Sequence, residues 1–177
     1  MPRLSVQLRK PIPAGPHPLA GVAVVCLILG LGTVLTTPCS ASAGYDPKAD
    51  PAADLEAAKA RAQTQGKHIL LEIGGEWCSW CRLLEKTLKG DVELREALDS
   101  RFVVVKVNFS DENPNEAFLS RYPKISGYPH IFVLDASGEL LHSQDTGLLE
   151  EGRGYSKRAL LAFFERWGPN GSGSDAE

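Results

Sequence analysis

The chain is expected to fold as an α/β domain with a mixed central β-sheet flanked by helices on both faces. Three observations support this. Apolar residues recur alternately at helical and strand spacing, in the order helix, strand, helix, strand, helix, strand, strand, helix. Residues 102–107 form a β-branched run suited to a buried strand. Ala136-Ser137-Gly138 leaves room only for a tight turn, so its flanking strands are antiparallel, whereas the earlier helical crossovers imply parallel ones.

Each element has its own signal. Asp50 is placed to cap a helix starting at Pro51, with Leu55, Ala58 and Ala62 on one face and Gly66 as the stop. Residues 69–73 are a short apolar strand with Glu72 inside it. Gly74-Gly75-Glu76-Trp77 makes the turn, and Cys78 opens a helix carrying Leu83, Leu84, Thr87 and Leu88 inward and ending at Gly90. Asp91 caps another turn or two, with Leu94 and Leu98 inward. Residues 108–114 read as polar loop, and residues 115–122 as a short helix stopped by Pro123. The hairpin strands are residues 130–134 and 139–143. Residues 150–154 read as a charged loop without recognisable chemistry. The last helix, residues 156–167, repeats Leu160, Leu161, Phe163, Phe164 and Trp167 at helical spacing.

The 177 residues suffice for one domain with a proper core. Residues 1–43 are expected to be a signal peptide. Arg3, Arg9 and Lys10 form a positive start, residues 19–35 are apolar or small, and Ala41-Ser42-Ala43 offers a cleavage site. The alternative is an uncleaved anchor, although this stretch is slightly short of the roughly 20 residues of a full span. Residues 44–50 read as a linker, 51–167 as the domain, and 168–177 as a Gly/Ser-rich disordered tail. Residues 44–177 hold 16 Lys and Arg against 22 Asp and Glu, a formal charge of −6. That excess of acid disfavours nucleic acid as a partner, since phosphate contacts need clustered cations.

Removal of residues 1–43 takes Cys26 and Cys39 with it and leaves Cys78 and Cys81 alone. A single C-x-x-C pair in an exported protein reads as a redox-active dithiol. Cys78, at a helix N-terminus, is the candidate nucleophile, because backbone N–H groups and the helix dipole favour its thiolate. Cys81, one turn further in, lies on the same side and is placed to resolve a mixed disulfide. A structural disulfide is the poorer reading, because so short a loop removes little unfolded-state entropy. Metal binding is the stronger rival: two thiolates with His130 suit copper(I) or zinc, although zinc usually takes four protein ligands and no second pair is present. Trp80, between the cysteines, is expected to be partly exposed as a substrate or partner contact. No cofactor is called for.

Residues 69–82, with Trp77-Cys78-Ser79-Trp80-Cys81 at their centre, Lys106-Val107-Asn108, and Ile125-Ser126-Gly127-Tyr128-Pro129 occur in an order that resembles the thioredoxin superfamily. The resemblance spans about residues 51–167. The helix after the dithiol and Leu84-Glu85-Lys86 are similar to exported thioredoxin-like proteins, including the C-terminal domain of the bacterial transmembrane thiol reductant conduit. Two departures stand out: Ser79-Trp80 replaces the Gly-Pro of thioredoxin, and Gly74-Gly75 replaces bulkier residues.

The resemblance implies a thioredoxin fold and roles for further residues. Glu72 takes the buried-acid position that removes the proton from the resolving cysteine, and Lys106 the lysine beside it. Trp77 packs next to the nucleophile as a substrate-facing surface. Pro129 is cis, and its loop presents the Tyr128 backbone to an extended substrate strand, with Tyr128 tuning which partner fits. The implied activity is that of an exported thiol–disulfide oxidoreductase, working as a periplasmic reductase or electron relay on protein thiols and disulfides. It is expected to be a monomer supplied by a membrane electron donor. A disulfide-donating oxidase is the alternative direction, and a copper or thiol chaperone using His130 the alternative class.

Overall fold

A computed structural model describes residues 44–171 and Gly173. The expected signal peptide, residues 1–43, lies outside the described residues.

Helix α1 (Pro51–Gln65) begins where Asp50 accepts hydrogen bonds from the Ala52 and Ala53 N–H groups, and ends where Gly66 turns left-handed at φ 63°. Strand β1 (His68–Gly74) follows, then α2 (Ser79–Gly90) and α3 (Val92–Arg101). Asp91 caps α3 by accepting from the Leu94 N–H at 3.1 Å. Its ten residues exceed the turn or two expected, because Leu94 and Leu98 both bury against the sheet side of the fold. Strand β2 (Phe102–Asn108) pairs parallel to β1, in a register that sets Glu72 opposite Lys106.

The expected helix at residues 115–122 shortens to one turn, α4 (Glu116–Leu119). With no long crossover helix there, β3 (His130–Leu134) comes back antiparallel on the other side of β1, where the simple crossover argument implied parallel. Strand β4 (Leu140–Asp145) completes the sheet order β2-β1-β3-β4. Beyond a 3-10 turn at Thr146–Leu149, the charged loop is a small hairpin of β5 (Glu150–Glu151) and β6 (Gly154–Tyr155). Helix α5 (Lys157–Trp167) closes the domain. Of the expected disordered tail, Gly168, Gly171 and Gly173 are tied back: their N–H groups donate to Phe164, Gly168 and Arg166 carbonyls. The bonds to Phe164 and Arg166 satisfy acceptors that a helix C-terminus leaves open.

The sheet separates two apolar layers. Ile69, Leu71, Ile73, Val103, Val105 and Val107 pack with Leu55, Ala58 and Ala62 of α1 and with Phe118. On the opposite face, Leu70, Ile131 and Val133 pack with Leu84, Leu94, Leu98, Leu160, Phe163 and Phe164. Strand alternation puts Glu72 on this second face, beneath α2.

Candidate active site

The site forms where β1 ends. Cys78 and Cys81 are joined in a disulfide across the first turn of α2. Cys78 is the N-cap, with extended backbone at φ −83° and ψ 110°, and its Sγ accepts from the Cys81 N–H at 3.1 Å. A sulfur there faces the backbone donors of the helix start, which favours negative charge on it once reduced. Both cysteines are buried, Cys81 fully.

Glu72 is 3 % exposed, so its side chain does not face solvent. Burial raises its pKa, while Lys106, the Tyr45 hydroxyl and Lys89 pull the other way and Glu85 adds to the rise. The partner that meets it directly comes from a residue the sequence did not single out. Tyr45 donates its hydroxyl to Glu72 Oε1 at 2.6 Å. Residues 44–50, expected as a linker, reach the site here, with Tyr45 5 % exposed and packed against both cysteines. The Tyr45 N–H donates to Glu76 Oε1 at 3.0 Å, fixing this segment to the turn before the dithiol. The one signal for it in the sequence was Gly74-Gly75, two residues without side chains where something else must fill the space. A Cβ built on Gly74 would stand 2.5 Å from Cys81 Sγ and 2.9 Å from Tyr45 Oη.

Lys106 faces the same interior, but its ammonium turns to Glu85 Oε2 at 3.2 Å and not to Glu72. It also lies 5.0 Å from the centre of the Tyr45 ring. Burial alone would push Glu85 up, but Lys89 and Lys106 outweigh it and hold its carboxyl below the usual range. Lys106 therefore acts on Glu72 at longer range, as a charge.

An aromatic surface borders the dithiol. Trp77 is 55 % exposed; its Nε1–H donates to the Phe109 carbonyl at 2.7 Å and its ring meets Tyr128 edge-on at 5.6 Å. Phe109 stacks on Tyr128 at 4.7 Å. The Tyr128–Pro129 peptide is cis. The Pro129 carbonyl accepts from the Thr146 hydroxyl at 2.5 Å, which ties its loop to the 3-10 turn. Trp80 is half-buried and edge-on to Tyr155 of β6 at 5.6 Å, so the charged hairpin missed in the sequence supports the residue between the cysteines.

His130 is buried, with Nε2 2.9 Å from Ser143 Oγ and its ring 4.8 Å from Phe132. Burial lowers its pKa, with His142 adding to the fall and Asp145 opposing it. Among the described residues, no three His, Cys, Asp or Glu side chains gather in a way that would hold a metal ion.

The state of Glu72 makes stability depend on pH. A carboxyl whose folded-state pKa is raised contributes stability below the ordinary carboxylate range and loses it as pH rises through the raised value. Glu72→Gln is therefore expected to stabilise the protein at mildly alkaline pH, by about 1–3 kcal/mol. The gap should close near about pH 4, where the parent carboxyl is neutral as well. Thermal melts of both proteins across this range check it; a gap of one size at every pH would contradict it.

Residues 50–136 match a thioredoxin-like family model. The chain is 32% identical over 117 residues to the thiol:disulfide interchange protein DsbD of Pseudomonas fluorescens, covering 65% of this chain and 18% of that one. It is 33% identical over 120 residues to DsbD of a Pseudomonas species, covering 67% and 19%. The chain thus spans about a fifth of the length of these relatives. Among solved structures it is similar to a disulphide isomerase from Xylella fastidiosa, with TM-score 0.60, 28% identity, and 68% and 92% of the two chains covered. The oxidised C-terminal domain of Neisseria meningitidis DsbD shares the fold at TM-score 0.50 and 22% identity, over 67% of this chain and 97% of that one. Built around the Cys78–Cys81 disulfide, the chain carries a thioredoxin-like domain, similar in sequence to part of DsbD and in fold to the C-terminal domain of Neisseria meningitidis DsbD.

Proposed function

We propose that the protein is an exported thiol–disulfide oxidoreductase acting as a reductase or electron relay in a bacterial periplasm. The observation that carries this reading is the Cys78–Cys81 disulfide at the head of α2 with the acid Glu72 buried beneath it. In the reduced protein, Cys78 thiolate attacks one sulfur of a protein disulfide, forms a mixed disulfide and releases the other sulfur as a thiolate. Cys81 loses its proton toward Glu72 and attacks Cys78 Sγ. The substrate leaves as a dithiol, two electrons richer, and the enzyme keeps the disulfide. Trp77, Tyr128 and the Pro129 loop supply the surface on which an extended substrate strand lies, and Trp80 borders it.

Charge supports the reducing direction. Ser79-Trp80 puts no cation or imidazole between the cysteines, and Glu72 and Glu76 are the acids beside the turn. Without a cation, the Cys78 thiolate is less stabilised, and the dithiol is a better reductant. Outside the cytosol such a reductant needs electrons from across the membrane, so its proposed donor is a membrane protein. Residues 1–43 are proposed to direct export, and no helix among the described residues is long and apolar enough to cross a membrane. The protein is proposed to act as a monomer.

The equilibrium reduction potential of the Cys78–Cys81 pair tests this. Titration against dithiothreitol or glutathione is expected to give a reversible two-electron couple near about −270 mV, the thioredoxin value. A value near about −120 mV would make the protein a disulfide donor instead. Failure to titrate reversibly would remove both directions.

A further inference from the structure

Three buried groups gather beneath α2, and the proposed oxidoreductase activity assigns a task only to two of them, Cys81 and Glu72. Cys81 is 0 % exposed, Glu72 3 %, and Tyr45, which packs with the cysteines, 5 %. The Tyr45 hydroxyl already donates to Glu72 Oε1 at 2.6 Å. Its oxygen and Cys81 Sγ flank the same bare face of Gly74, at 2.9 and 2.5 Å from the point a side chain would occupy. We propose that Tyr45 is the proton carrier between Cys81 Sγ and Glu72, a relay residue for the resolving half of the thiol–disulfide exchange. This rests on the oxidoreductase reading above.

A hydroxyl suits the task because it accepts and donates at once. As Cys81 gives its proton to Tyr45 Oη, Oη gives its own to Glu72 Oε1, and the Cys81 thiolate attacks Cys78 Sγ. A sulfur–sulfur bond forms between the two cysteines, and the bond from Cys78 to the substrate breaks. The electron pair of that broken bond leaves on the substrate thiolate. The proton held by Glu72 returns through Tyr45 and solvent to that leaving thiolate, so protons and electrons balance.

The transfer must be concerted. Burial and the neighbouring Glu72 push the Tyr45 hydroxyl far above an ordinary phenol, so a free tyrosinate is not an intermediate. Groups from every packed element bear on the acceptor: Tyr45 from the leading segment, Lys106 from β2, Glu85 and Lys89 from α2, and Tyr155 from β6. The ring is held in place by the bond from its own backbone N–H to Glu76 and by the Lys106 ammonium over its face. With these contacts the hydroxyl rests on Glu72 Oε1. Gly74, a departure from the family pattern, gains a reason: any side chain there would press on both Cys81 Sγ and Tyr45 Oη.

The test separates the two halves of the exchange. In the full-length chain with Cys26→Ser and Cys39→Ser, the reduced protein is mixed with substoichiometric Ellman's reagent and thionitrobenzoate release is followed by stopped flow. The first release reports attack by Cys78, and the second reports displacement by Cys81. Tyr45→Phe is expected to leave the first within about twofold and to slow the second by about a hundredfold, the range of a lost general base. It should also flatten the pH dependence of the second release. Glu72→Gln is expected to slow the same phase, and the double variant should be no slower than the slower single one. A second release unchanged in Tyr45→Phe but slowed in Glu72→Gln would overturn the relay and leave the oxidoreductase reading standing. Absence of the first release from the parent would overturn both. Should Tyr45→Phe fail to fold, the proton inventory of the parent's second release in mixed light and heavy water decides. A curved inventory, with two protons moving in one step, supports the relay, and a straight one overturns it.

Discussion

Cys81→Ser is expected to turn the protein from a catalyst into a trap. The variant keeps Cys78 at the N-cap of α2, where the helix start still favours its thiolate, so attack on a substrate disulfide proceeds. The mixed disulfide then has no internal thiol to displace it. Serine in that fully buried place is a far weaker nucleophile than a thiol. Dithiol-driven reduction of insulin should fall at least about a thousandfold, as it does when one member of a group that acts as a unit is removed. Incubation with a protein disulfide should yield one covalent adduct per chain, seen by non-reducing electrophoresis and released by dithiothreitol. Cys78→Ser should lose the activity equally and form no adduct, because Cys81 is sealed behind Tyr45 and the sheet. Retention of turnover in Cys81→Ser would contradict the two-cysteine mechanism and shift weight to a single-thiol route. The same adduct offers a way to identify the natural substrate.

Much of this site is legible in the amino-acid order alone, and the part that is not has a common cause. Asp50, Pro51 and Gly66 bound α1 because capping is local chemistry, and residues 130–134 read as a strand because a short β-branched and aromatic run has few other uses. The Cys78–Cys81 pair is visible for the same reason: spacing and helix position are properties of adjacent residues. Tyr45 is not visible, because its burial depends on an empty Gly74, a carboxylate at Glu76 and an acid at Glu72, all distant along the chain. Lys106 is matched to the right acid by register, yet its ammonium is drawn off to Glu85, a choice made by α2 packing over β2. The hairpin at residues 150–155 has too few residues for any periodicity to register. It acquires meaning only when Tyr155 is seen against Trp80. What the sequence hides is tertiary placement around a locally written motif.

Gly74→Ala is expected to damage the domain strongly for a single added methyl group. Its Cβ would stand 2.5 Å from Cys81 Sγ and 2.9 Å from Tyr45 Oη, well inside the roughly 3.5–4.0 Å at which nonbonded atoms rest. Neither neighbour is the loose end of a flexible chain. The sulfur is held by its disulfide and by α2; the phenol is held by Glu72 and the ring contact with Lys106, and the Tyr45 backbone by Glu76. Relief must therefore come from backbone displacement at the end of β1, an overpacking cost of about 1–3 kcal/mol. That corresponds to a fall in Tm of about 3–10 °C. Gly90→Ala is the matched control, since a Cβ there meets nothing within 4 Å, and it should leave the Tm unchanged or slightly raised. Because Tyr45 Oη is one of the two clashing atoms, Tyr45→Phe should restore part of the loss, making the double variant more stable than the sum of the singles. A Gly74→Ala protein that melts like the parent would mean that the leading segment does not rest on the dithiol in solution. In that event Tyr45 would have no place in the chemistry either.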